Sequence, residues 1–65
     1  MYLFRKDKKV EIKQIKAAKE IGITQPTLSN ILNGKVACRK PVAFSITKYI
    51  NKDAIIEDYF IKKGE

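Results

Sequence analysis

The stretch that decides the fold is Gln14 to Asn33, QIKAAKEIGITQPTLSNILN. Two helices joined at a steep angle by a turn of three or four residues make strict demands on a sequence. The turn needs a residue that takes positive φ, and Gly22 supplies it. The close crossing needs a small side chain, and Ala18 supplies that. An apolar plug must follow the glycine, the place of Ile23, and the inner faces need Ala17, Ile21, Leu28 and Ile31. All of these demands are met at compatible spacing.

Outward from this pair, Ile12, Ile15, Ala18 and Ile21 recur at helical spacing, with Ala17 widening the stripe and lysines opposite. This predicts a first helix over 12–21. Thr24 offers an N-cap hydroxyl and Pro26 falls in the first turn of the next helix, where a missing N–H costs nothing. Leu28, Ile31 and Leu32 form its buried face, and Asn33-Gly34 ends it. Lys35 to Lys40 reads as a basic loop. Pro41 starts a further helix with Val42, Phe44 or Ala43, Ile46, Tyr49 and Ile50 as its apolar positions. Asn51-Lys52-Asp53 breaks that helix, with Asp53 as a cap, and Ala54, Ile55, Ile56, Tyr59 and Phe60 follow as a last short helix. Residues 2–9 admit either a two-turn helix or a strand paired with Val10-Glu11-Ile12. The helix is the preferred reading, because the rest of the chain is helical and isolated hairpins are marginal. The fold class is therefore all-α, a single small domain over 1–65 with four to five short helices and a possible short N-terminal strand.

Charge points to the partner. Fourteen Lys and Arg stand against seven Asp and Glu, a net +7. Residues 1–20 carry a net +4 and 35–41 a net +3, whereas 51–65 carry −1. A polyanion on one side and something else on the other suits this asymmetry. With Leu28 and Ile31 turned inward, the second helix exposes Gln25, Pro26, Thr27, Ser29, Asn30 and Asn33, and no acid lies among them to repel phosphate. Amide side chains pair bidentately with the N6 and N7 edge of adenine in the major groove, each pair worth about 1–3 kcal/mol of discrimination. Gln25 and Asn30 are the candidate base readers, with Thr27 reaching bases or phosphates. Phosphate contacts position a reader without reading sequence. Candidates are Lys35, Arg39 and Lys40 in the loop, Lys13, Gln14 and Lys16 at the start of the first helix, and Ser29.

On Gln14, Ala17-Ala18, Ile21-Gly22-Ile23-Thr24-Gln25, Leu28-Ser29, Ile31 and Asn33-Gly34-Lys35, the chain resembles the Cro/CI-like phage repressor helix-turn-helix proteins. The resemblance covers roughly 10–35 well and the following helices in outline. It implies a lambda-repressor-like domain in which Thr24 to Leu32 is the recognition helix and Gln14 contacts phosphate. The chain departs from the family in a shorter first helix, a longer loop after Gly34 carrying Cys38, and Pro26 at a position that is often polar. Pro26 cannot hydrogen-bond a base, so its expected contact is a thymine methyl. The implied function is sequence-specific binding of double-stranded DNA as a Cro-like transcriptional repressor of phage or mobile-element type.

Ile55, Ile56, Tyr59 and Phe60 exceed what one short helix buries on its inner face. This predicts a homodimer through that segment, with two recognition helices about 34 Å apart to match one turn of DNA. The competing reading has Tyr59 and Phe60 cap the core against residues 2–4. Cys38 beside Arg39 and Lys40 reads as a small loop residue rather than a redox sensor. One cysteine allows no internal disulfide, and no apolar run nears the roughly 20 residues of a membrane span. With no signal peptide legible at Met1-Tyr2-Leu3-Phe4, the expected location is cytoplasmic. Histidine is absent, the acids are scattered, and no glycine-rich phosphate loop or Cys/His cluster is present. No catalysis, metal, cofactor or small-molecule ligand is expected. The rival from another class is a protein-interaction module, an antitoxin or phage-encoded inhibitor on a helix-turn-helix scaffold.

Overall fold

The computed structural model describes residues 1–8 and 10–63. Its elements, in chain order, are β1 (Tyr2–Phe4), α1 (Gln14–Ile21), α2 (Gln25–Leu32), α3 (Lys40–Ile50), α4 (Ile56–Tyr59) and β2 (Phe60–Lys62). The helices pack α1 on α2 and α3, and α3 on α4, while β1 lies against α2 and pairs with β2.

The α1–α2 turn forms where the glycine predicts it. Gly22 sits at φ +94°, and the N–H groups of Gly22 and Ile23 both donate to the Ala18 carbonyl, at 2.8 and 3.0 Å. Ala17 and Ala18 are buried beneath the crossing. Thr24 caps α2 in an extended conformation, its hydroxyl accepting from the Thr27 N–H at 3.4 Å. Gly34, at φ +73°, turns the chain away from the end of α2.

In α3 the inner positions are Ala43, Ile46 and Thr47, whereas Phe44 is half exposed, so Ala43 is the residue of that pair which faces the core. After α3 the chain folds back on a short turn. The Asn51 carboxamide oxygen accepts the Asp53 N–H at 3.0 Å, and the Lys48 ammonium donates to the carbonyls of Lys52 (3.2 Å) and Ala54 (2.6 Å). Asp53 is thus not the cap of the last helix. That role falls to Asp58, whose carboxylate accepts the Ile55 N–H at 3.1 Å from inside α4. The helix itself spans only Ile56–Tyr59, because Phe60 leaves it in extended conformation to begin β2.

Residues 2–4 form a strand, not the preferred helix, and the strand pairs with β2 rather than with Val10-Glu11-Ile12. The antiparallel register is Tyr2↔Lys62, Leu3↔Ile61 and Phe4↔Phe60. The reason is long-range, since Phe60–Lys62 and Cys38 supply hydrogen-bond partners to the two edges of the segment. Tyr2 and Phe4 both face inward while Leu3 between them does not, an alternation that a strand provides and a helix does not. Cys38 bridges the other edge of β1, with Tyr2 and Cys38 exchanging N–H···O=C bonds of 2.7 and 2.8 Å. The Phe4 ring stands edge-on to Phe60 at 5.2 Å and stacks on Tyr59 at 6.2 Å. The core is completed by Leu28, Ile31, Ala43, Ile46 and Ile56.

Two substitutions probe this architecture. A Cβ added at Gly22 meets nothing within 4 Å, so Gly22→Ala costs conformational energy alone. A loss of about 1–2 kcal/mol is expected for an L-residue held at positive φ, read as a fall in Tm of roughly 4–8 °C per kcal/mol. Phe60 is 2% exposed, and Phe60→Ala is expected to lose about 3–5 kcal/mol in denaturant unfolding. An unchanged midpoint would show that β2 is not part of the core.

Candidate nucleic-acid interface

Helix α2 is pinned by two fully inward side chains three residues apart, Leu28 and Ile31. Everything that follows about its outer face comes from that anchoring. Gln25, Pro26, Thr27 and Asn30 are exposed, and Ser29 is half-buried at the margin. The Thr27 hydroxyl lies 2.7 Å from the Thr24 hydroxyl, so it is tied into the cap that starts the helix. The Asn33 amide donates to Ser29 Oγ at 3.5 Å, a long contact. Asn30 uses its main-chain carbonyl to accept the Lys35 N–H at 2.9 Å, which holds Lys35 against the end of α2.

Gln25 opens onto a cleft of about 510 Å³ whose other walls are Lys13, the N-cap of α1, and Gln14, Ile15, Lys16 and Lys19 within that helix. The fold therefore gathers Lys13, Gln14, Lys16 and Gln25 in one place, together with Lys19, which sequence reasoning did not single out. Its signal was available: Lys16 and Lys19 stand one helical turn apart on the same side of α1. Among the described residues, the cleft has no acidic wall.

Ile15 is a correction. It is 59% exposed rather than part of the buried stripe. The inner face of α1 runs through Gln14, Ala17, Ala18 and Ile21, and at 3.6 residues per turn Ile15 falls roughly 100° away from that line. The helix begins at Gln14, so Ile12, half-buried, packs on the core from the segment before it.

Arg39 and Lys40 are exposed at the start of α3, as N-cap residue and first helical residue, and line neither this cleft nor the one beside β1. No acidic residue stands in the first turn of α1, α2 or α3. The positive ends of these three helices are left without an internal counter-charge.

At the C-terminal segment, Ile56 and Phe60 are core residues (7% and 2% exposed) and Tyr59 stacks on Phe4. The structure thus places Tyr59 and Phe60 against residues 2–4. Of the four residues considered for a partner surface, Ile55 is the one left largely outside, at 58% exposure. Cys38 is buried beside Tyr2, and burial pushes its thiol up to about 11.

A family model described as helix-turn-helix, of the Cro/C1 type, matches residues 2–55. The chain belongs to that family. It is, in that general sense, a DNA-binding regulator. The match runs from β1 through α3 and stops before α4 and β2, so the strand that closes the core lies beyond it. No curated protein and no solved structure is significantly similar to the chain. No helix is long and apolar enough to cross a membrane, and among the described residues no cluster of His, Cys, Asp or Glu is arranged to hold a metal ion.

The buried thiol gives a pH prediction. Because the folded state raises the Cys38 pKa from 9.0 to about 11, the neutral thiol is the form the fold stabilises. That contribution is complete below pH 9 and drains away as the pH climbs from 9 to about 11. Cys38→Ser is expected to flatten this alkaline loss of stability. In the native wild type, thiol reagents at pH 8 are expected to react more slowly than with free cysteine.

Proposed function

We propose that the chain is a sequence-specific repressor of transcription, reading the major groove of double-stranded DNA with α2. One observation carries the reading: the outer face of α2 is polar and uncharged, and it borders a cleft walled by three lysines and no acid. An uncharged amide surface suits base edges, and a lysine wall beside it suits the phosphates that hold a reader in register. Gln25 and Asn30 read bases, and among the described residues no hydrogen bond commits either side chain elsewhere. Pro26 packs on a thymine methyl and Thr27 reaches the same groove. Lys13, Gln14, Lys16, Lys19 and Ser29 contact phosphate, as do Lys35, Arg39 and Lys40, and the uncapped N–H groups at the start of α1 add to them.

The assembly we propose is a homodimer whose C-terminal surface presents Ile55 and the outer edge of Tyr59, with double-stranded DNA as partner and the cytoplasm as location. It needs no cofactor, metal or small-molecule effector, and it is not an enzyme.

The test is a salt titration of binding to a mixed-sequence duplex. Log K is expected to fall linearly with log salt, by about 0.9 for each phosphate neutralised. A site selected from random DNA is expected to be a palindrome with half-sites about one helical turn apart. On that site, Gln25→Ala and Asn30→Ala should each lose about 1–3 kcal/mol while non-specific affinity stays as it was. Equal loss on every sequence would move both residues to phosphate contact. No duplex binding at any salt would leave a protein-interaction module.

A further inference from the structure

The helix-turn-helix does not use Lys6 and Lys8, which follow β1, yet the fold brings Lys6 to the end of α2. Gly34 is the reason. The chain turns there beneath the Phe4 carbonyl, and a Cβ on Gly34 would lie 3.9 Å from both Cγ and Cε of Lys6. The Lys6 stem therefore runs alongside the residue that follows Asn33. Lys6 and Lys8, with Gln14 and Asn33, line a cleft of about 410 Å³, and Glu11 is the acid among its walls. That volume holds a phosphodiester group with several waters, at about 30 Å³ per water in the liquid.

The charges in this cleft are unequally committed. Arg5 is held by Asp7 through two bonds, Nη2 to Oδ2 at 3.0 Å and Nε to Oδ1 at 3.1 Å. Among the described residues that is the one ion pair, so Lys6 and Lys8 have no carboxylate partner. Lys8 lies 5.8 Å from the centre of the Tyr59 ring, a contact that leaves its charge in place. Among the described residues, two ammonium groups less one carboxylate give the cleft an unpaired charge of +1, the complement of a single phosphodiester. The amides of Gln14 and Asn33 add donors suited to an oxyanion.

We propose that this cleft binds one backbone phosphate of the DNA, at the Asn33 end of the recognition helix. Resting on the reading of α2 as that helix, this site brackets it with the Lys13–Lys19 cleft at the Gln25 end, and Gln14 is the one wall the two clefts share. The N-terminal segment is then part of the DNA interface as well as of the sheet.

The experiment compares full-length variants on one mixed-sequence duplex across salt. The double variant Lys6→Gln/Lys8→Gln is expected to bind more weakly on all sequences, with its slope of log K against log salt smaller by about 0.9, the value of one phosphate. Lys52→Gln/Lys62→Gln removes the same charge from exposed positions outside the cleft and is expected to keep the wild-type slope. Lys6→Arg/Lys8→Arg is expected to keep it too, and Glu11→Gln to tighten binding. Thermal melts of each variant are expected to match the wild type, which would assign the change in slope to DNA binding and not to the fold. Equal slopes for the two Gln doubles, or loss of slope in the Arg double, would overturn the site while leaving α2 as the reader. A wild type with no salt-dependent duplex binding would instead overturn both.

Discussion

Two amide groups converging on one carbonyl set the geometry of this molecule. Gly22 and Ile23 both donate to Ala18, and that shared acceptor fixes where α1 stops and how steeply α2 departs. An L-residue in the left-handed region is strained, so the sharp bend is open to glycine at little cost. Ala18, with its single methyl, lets the second helix cross close by. The orientation of α2, and with it the set of side chains turned outward, descends from this junction.

A junction of two short helices is too small to hold itself. Eight residues in each leave little apolar area to bury, and helices of that length are not stable alone. The missing burial comes from the two ends of the chain. β1 and β2 bring Tyr2, Phe4 and Phe60 under α2 and α4, where the rings of Phe4, Tyr59 and Phe60 pack on one another. Cys38 joins the same sheet from the loop after Gly34, so that the basic loop is tethered at its middle. Three segments far apart in sequence are thereby locked behind α2.

How much of this was legible in the sequence depended on range. The turn at Gly22, the Thr24 cap, Pro26 in the first turn and the outward set on α2 were all legible, since each is decided within a few residues. The strand at Tyr2–Phe4 was not, because its partner lies nearly sixty positions away and no periodicity in three residues names it. The end of the chain failed for a related reason: Phe60 has the pattern of a helical residue until β1 is there to receive it. Asp58 displaced Asp53 as the cap because Asn51 and Lys48 had already claimed the turn. Ile15 misled because apolar character was read as burial, when the line through Ala17 and Ala18 defined the inner face. In the candidate interface, Gln25, Lys13, Gln14 and Lys16 were named from sequence and Lys19 was not, whereas the Lys6 cleft requires knowing that Gly34 sits beside the N-terminal segment.

The outer face of α2 divides its side chains by what else they do. Thr27 is bound into the cap with Thr24, and Leu28 and Ile31 hold the core. Gln25 and Asn30 are exposed, and among the described residues their side chains hydrogen-bond to no other part of the fold. Their identities are therefore free to drift under selection without eroding the scaffold, which separates the inheritance of a shape from the inheritance of a target. On the proposed reading of α2, descendants of such a gene can diverge in the DNA they recognise through two codons, and a pair of copies can become regulators that ignore each other's sites.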